Sequence, residues 1–443
     1  MSILSISILV IISIFAIIIL TSTLKLQAFI ALFLVSLFLA FATLPASTIM
    51  TTIKEGFGST MGAIGFLIIL GAIIGITLDK TGGTISIANY ILSKTGEKRS
   101  VEALGITGFI TGLPIFCDSG FIILSGLAKS FSSKTKIAMP FMATVLACSL
   151  YSVHCLIPPH PGALAAAGIF NVNIGYLIVI GILFAVPGAL VAYFWSKWIT
   201  KRSGSLSAKV IEVNHETDRI DLPPVFLSFL PIVVPLLLIA IKSLINLADK
   251  SGGSLISKIF YFPGEPVIAL SIGVLLSLLL IKKKTISTMN SVFSEAIIKA
   301  GPILIVTAAG GMFGMVIKST GVGEAMGKML AGTNIGLVVP FLIAAVMKTA
   351  QGSSTVAIIT TASFVAPMLP MLGLDTEWGR LLTMLSMGAG SMSVSHANDS
   401  YFWVISNFGE IEINTTLKVY SSATLIMGVV VFACVWLASL FIL

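Results

Sequence analysis

A few ionisable side chains stand inside otherwise apolar sequence: Asp118 in "GLPIFCDSG", His154 and His160 around "IPPHPGA", Lys348 ahead of "QGSST", and His396 and Asp399 in "SHANDS". Such groups are costly in lipid and by default mark a substrate or ion path. Asp118 suits a proton carrier; its plainer role is a carboxylate capping a hairpin helix. His160 suits a ligand for a substrate carboxylate when protonated, or a proton shuttle. Its plainer role is a hydrogen bond to the carbonyls freed by Pro159 and Pro161. Asp399, with Asn398 and Ser400, suits substrate hydroxyls or a cation, and otherwise caps its own helix ends. Gly352, Ser353, Ser354 and Thr355 put small residues and hydroxyls at a helix start, which favours an anionic or polyhydroxylated ligand over mere capping. Gly162, in the first break, joins these candidate substrate contacts. Lys348 would pair with a substrate carboxylate or with Asp399, or else snorkel to the interface. His154 reads as a core histidine and His396 as intermediate, while "YFW" at 401–403 reads as packing before pocket wall.

Other chemistries lack their residues. "GVGEAMGKML" at 321–330 has Val322 where a phosphate loop needs glycine. The histidines and cysteines have neither H-E-x-x-H nor paired-cysteine spacing, so no metal and no cofactor is expected. No G-x-S-x-G elbow supports an enzyme. Cys117, Cys148, Cys155 and Cys434 lie in apolar segments and read as small core hydrophobes. Paired breaks also argue against a channel, whose filter is built from rings of charge or carbonyls.

The elements that must position these groups follow from composition. Hydrophobic residues make up 56% of the 443 residues and charged ones 10%, against roughly 25% charged in a soluble domain. Apolar runs of about 18 or more residues, enough to cross a bilayer, recur along the chain. The first run lacks a basic n-region and a cleavage site, so it reads as a retained span. The net charge of +8 collects in short hydrophilic breaks and reports topology, not nucleic acid. Continuous spans are expected near 3–20, 25–44, 57–78, 172–197, 225–247, 260–281, 297–318 and 420–442. Segments 137–168 and 379–406 are apolar but broken mid-way, and 101–128 and 336–371 have polar centres that suit re-entrant hairpins. The expectation is an all-α polytopic membrane protein with about ten spans, two of them broken at the midplane, and two hairpins. The basic breaks then share one side, which the positive-inside rule makes cytoplasmic, with both termini outside.

Sliding the chain by 239 residues lays "GAIIGITLDKTG" at 71–82 over "GGMFGMVIKSTG" at 310–321, matching Gly71 and Gly75 to Gly310 and Gly314. The same offset lays the first hairpin centre over the second and His160 over Asp399. An odd number of intervening spans makes this an inverted repeat, the pattern of secondary transporters whose broken helices meet at the midplane. The expected layout is N-terminal spans 1–55, first repeat 56–197, a cytoplasmic linker 198–224, connecting spans 225–295, and second repeat 296–443. "IPPHPGA" should line a cavity, since non-helical backbone at membrane depth is tolerated only there or within protein.

These stretches resemble the gluconate permease family of bacterial proton symporters, within the ion transporter superfamily, through "GFGSTMGAIGFLIILGAIIG" at 56–75, "KTGG" at 80–83, "GLPIFCDSGFIIL" at 112–124, "PPHPGALA" at 158–165, "KTAQGSSTVAIITTAS" at 348–363 and "SHANDSYFWVISNF" at 395–408. The resemblance implies proton-driven import of a small carboxylate across the bacterial inner membrane, gluconate or another sugar acid, a hydroxy acid such as glycerate, or D-serine. It also implies a homodimer with one moving transport domain per subunit. Asp118 stands where many members carry glutamate, and Ala163 where many carry proline. The residues by themselves leave sodium open, because "NDS" and "GSST" supply oxygens for either ion.

Overall fold

The computed structural model describes residues 3–95, 99–202, 222–248, 259–321, 336–396 and 399–443. Every regular element among the described residues is helical. In lipid the backbone must satisfy its own polar groups within the segment, and the helix does so. Among the described residues six helices are long and apolar enough to cross a bilayer: Ala46–Thr81, Met139–Phe170 with its break, Ile174–Arg202, Val225–Lys242, Ile286–Ser319 and Ile413–Ile442. Shorter apolar helices stand at other expected spans, among them α1 (Ile3–Ile18) and α2 (Ala28–Thr43).

Helix α3 (Ala46–Thr81) starts directly after Pro45 and stops at Gly82, whose φ of +77° closes the left-handed cap. It begins well before the span expected at 57, because Ile49, Thr52 and Ile53 are buried at helical spacing while Lys54 and Glu55 face outward. The boundary expected at 55/56 therefore falls inside a helix. A short helix that the hydropathy pattern does not reveal, α4 (Gly83–Thr95), leads to the first hairpin, α5 (Ser100–Gly112) and α6 (Cys117–Thr135). The first broken helix follows as α7 (Met139–Leu156) and α8 (Pro161–Phe170), then α9 (Ile174–Arg202). Connecting helices α10 (Val225–Ala248) and α11 (Pro266–Leu278) precede α12 (Ile286–Ser319). The boundary expected at 295/296 lies inside α12, whose polar first turns carry Ser291 and Glu295 opposite Lys80. The second hairpin is α13 (Val338–Gln351) and α14 (Ser354–Val365), and the second broken helix is α15 (Glu377–Met392) and α16 (Ser400–Phe408). A turn of helix, α17 (Ile413–Thr416), runs through a π-turn into α18 (Ser422–Ile442). The linker expected at 198–224 lies mostly outside the described residues, α9 reaching Arg202.

Helix ends recur at the 239-residue spacing. Helix α5 ends at Gly112 and α13 at Gln351; α8 starts at Pro161 and α16 at Ser400; α9 starts at Ile174 and α17 at Ile413. Helices α3 and α12 lie side by side and run in opposite directions, with Gly56 against Met312 at one end and Lys80 2.7 Å from Glu295 at the other. The matched glycines have a packing reason. A Cβ on Gly75 would stand 2.6 Å from the carbonyl oxygen of Pro114 in the first hairpin turn, and one on Gly314 would stand 2.9 Å from that of Ser363 in α14. Only a bare Cα lets these backbones approach.

Candidate functional site

The first break is built by proline. Pro158 turns Ile157 to extended backbone, which ends α7, and Pro161 restarts the helix at its first position with φ already set. The Pro158–Pro159 peptide is cis. The second break uses a side chain instead. Ser393 is extended beyond α15, and the Asp399 carboxylate accepts the Tyr401 N–H at 2.9 Å to cap α16. In the second hairpin Gly352, with φ +88°, closes α13, and Ser353 Oγ accepts the Val356 N–H at 3.3 Å to start α14. The second break, the two hairpin turns and the last turns of α7 ahead of the first break converge on one cavity.

That cavity has a volume of about 630 Å³. The first turns of three helices face it: Cys117, Asp118 and Ser119 of α6, Ser354, Thr355 and Val356 of α14, and Ser400 and Tyr401 of α16. The positive ends of three helix dipoles, with first-turn N–H groups beyond those of Val356 and Tyr401 that Ser353 and Asp399 cap, therefore lie at one space, which suits an anion. The far wall is α12, from Lys299 to Val306. Lys299 is 37% exposed and pairs with Glu295 at 3.3 Å, so the mouth lies toward the end of α12 that meets Lys80.

Of the residues expected from sequence, Asp118, Gly352, Ser353, Ser354, Thr355, Asp399 and Ser400 line this cavity. Asn398 lies outside the described residues. His160 and Gly162 are not in the wall. Gly162 instead lets α8 touch α14, its missing Cβ standing 3.3 Å from the Cα of Thr355. His160 sits behind His154, and the two Nδ1 atoms are 3.2 Å apart. His160 Nε2 lies 2.6 Å from the Gly112 carbonyl oxygen. A carbonyl only accepts, so His160 donates from Nε2 and, in the neutral pair, accepts at Nδ1 from His154. His154 Nε2 is then an acceptor toward the cavity, 3.5 Å from Thr355 Oγ1. His154, which the sequence reads as core, is thus the cavity-facing histidine. Only its spacing of six residues from His160, across the break, hints at this.

Lys348 does not snorkel. Its side chain is fully buried, and its Nζ lies 2.5 Å from Asp399 Oδ2 while donating to the carbonyl of Gly352. Asp399 also accepts from Ser395 Oγ, so its carboxylate is occupied on both oxygens. The Tyr151 ring lies 5.7 Å from Lys348 Nζ, and Tyr151 lines the cavity, a contact with no sequence signal. Asp118 differs from Asp399. It is half-buried, and among the described residues its carboxylate accepts only from the Cys117 thiol, at 3.9 Å. His396 is not in the wall, its Nε2 lying 3.1 Å from the Thr349 carbonyl oxygen. In "YFW", Tyr401 lines the cavity and donates to the Ala147 carbonyl at 3.1 Å, while Phe402 is core.

A second cavity of about 750 Å³ lies toward the other end of α12, walled by Gly311, Gly314 and Lys318 with Thr60, Asn171, Asp375 and others. Between the two cavities α12 presses on α14, where a Cβ on Gly310 would stand 2.5 Å from Ile359 Cγ2.

The comparisons with known proteins agree with this architecture. Residues 5–441 match the model of the GntP family permeases. The chain is 32% identical over 428 residues to the inner membrane permease YgbN of Escherichia coli, covering 93% of each chain. It is 29% identical to a gluconate permease of Pseudomonas aeruginosa, covering 97% of this chain and 96% of that one. Among solved structures, the YdaH transporter of Alcanivorax borkumensis superposes with a TM-score of 0.58 at 14% identity, covering 90% of each chain, which speaks for the fold alone. The chain is therefore a multi-pass membrane transporter and not an enzyme, and it belongs to the GntP permease family.

Proposed function

We propose that this protein imports gluconate or a closely related sugar acid by proton symport across the bacterial cytoplasmic membrane. The observation that carries the proposal is the cavity on which three helix N-termini converge, lined by the hydroxyls of Ser353, Ser354, Thr355 and Ser400 and by Asp118, which forms no ion pair among the described residues. A substrate carboxylate rests on the N–H groups, and its hydroxyls meet the serines and threonine. Asp118 supplies the coupling. When ionised it repels an anionic substrate, and when protonated it does not, so proton and substrate favour each other's binding by the same factor. Asp399 is unsuited to that role because Lys348 already neutralises it. Lys299 at the mouth draws anions in. The gluconate permease of Pseudomonas aeruginosa supports the substrate class.

In this reading the two sets of elements at the 239-residue offset form an inverted repeat, supported by the opposite directions of α3 and α12. The site cavity and the second cavity are then the two halves of an access route, closed between by Gly310 against Ile359. The working unit is a homodimer in the bilayer. Uptake of labelled gluconate into liposomes holding the purified protein, under an inward proton gradient, tests the proposal. Unlabelled sugar acids should compete better than D-serine or glycerate. Equal competition by D-serine would reassign the substrate, and uptake that needs sodium would overturn the proton coupling.

A further inference from the structure

In each half of the molecule the residue that caps the restarted helix is tied to a carbonyl at the end of the first hairpin helix. In the first half His160 reaches the Gly112 carbonyl directly, by an N–H donor at 2.6 Å. In the second half the residue at the same place, 239 positions on, is Asp399, and the carbonyl is that of Gly352, one position past the counterpart of Gly112. A carboxylate and a carbonyl are both acceptors and cannot bond each other. A donor or a cation has to stand between them, and free carbonyls at the ends of broken helices, with a nearby carboxylate, are the ligands that transporters offer to sodium. Here the position is filled by the chain. Lys348 Nζ donates to the Gly352 carbonyl and lies 2.5 Å from Asp399 Oδ2, with Ser395 Oγ bonded to the same carboxylate oxygen. The ammonium is fully buried, so no water substitutes for these partners.

We infer that the Lys348 ammonium is a built-in monovalent cation, occupying between the second hairpin and the second break the position where a coupling sodium ion would otherwise bind. The inference rests on the reading of this region as a transport site. It explains why oxygens that could hold sodium need none. Removing the ammonium while keeping Asp399, Ser395 and the Gly352 carbonyl leaves a ring of oxygens with a net negative charge, and that ring should accept sodium from solution.

The test is the unfolding midpoint of the purified full-length protein in sodium chloride and in choline chloride at equal ionic strength. The midpoint of the unsubstituted protein should be the same in both salts. Lys348→Ala should unfold earlier in choline and recover with sodium, saturably, by roughly 2–4 °C or more. Lys348→Ala combined with Asp399→Asn should lose that sodium response, because the site has lost its charge. Should Lys348→Ala not survive purification, Lys348→Gln is read in the same way, since its amide carries no charge. A midpoint of either single variant that ignores sodium, or a double variant that responds as strongly as the single one, overturns the inference. Gluconate uptake by the unsubstituted protein is read separately. A sodium response without gluconate uptake counts against the proposed substrate alone, and uptake without the sodium response counts against the built-in cation alone.

Discussion

His160 and Asp399 each stand at the N-cap of the second half of a broken helix, yet one is tied to its hairpin by its own N–H and the other through Lys348. The two halves of the site are thus matched in backbone and different in charge. The first half is held by neutral hydrogen bonds and the second by a buried ion pair.

That difference sets how the halves fail. Asp399→Asn leaves Lys348 buried without its partner, and Lys348→Ala in sodium-free buffer leaves Asp399 so. Breaking one side of a buried pair costs about 3–5 kcal/mol. Each single variant should therefore lower the unfolding midpoint strongly, and the combination should recover much of the loss, as read by thermal unfolding in detergent.

The histidine pair should separate binding from positioning. His154 faces the cavity and His160 holds it from behind. His154→Gln keeps a polar side chain and should change the apparent affinity for substrate more than stability. His160→Ala deletes the bond to Gly112 and should cost about 1–3 kcal/mol of stability through the unsatisfied buried partner. Paired measurements of KM and unfolding midpoint check both outcomes.

Gly314 lets α12 lie against the backbone of Ser363, and a Cβ there would stand 2.9 Å from the carbonyl oxygen. Gly314→Leu should prise α12 from α14 and lower transport far more than it lowers the amount of protein in the membrane. Overpacking of this kind costs about 1–3 kcal/mol. Uptake normalised to protein in the membrane measures it.

The breaks were legible because proline and glycine act locally. Pro158 and Pro161 mark the first break to the residue, and Gly352 marks the second hairpin turn. The starts of α3 and α12 were not, because Lys54, Glu55 and Glu295 read as the polar ends of spans although their helices continue through them. What those residues meet is set by packing between distant segments, as with Lys80 and Glu295. The site was legible as residue types and only partly as roles. Lys348 and Asp399 are 51 positions apart, and sequence offered their pairing as one choice among three. His154 stood out as an ionisable group beside the break but read as core, and Tyr151 gave no signal, since a lone histidine or tyrosine on an apolar helix is ordinarily core.

The account turns on Asp118 as the group that couples proton to substrate. The most direct measurement is proton entry driven by a gluconate gradient into proteoliposomes loaded with a pH-sensitive dye, comparing the unsubstituted protein with Asp118→Asn, beside exchange of labelled for unlabelled gluconate. The account predicts gluconate-dependent acidification by the unsubstituted protein, and none by Asp118→Asn although exchange persists. Acidification by Asp118→Asn at the unsubstituted rate would contradict it.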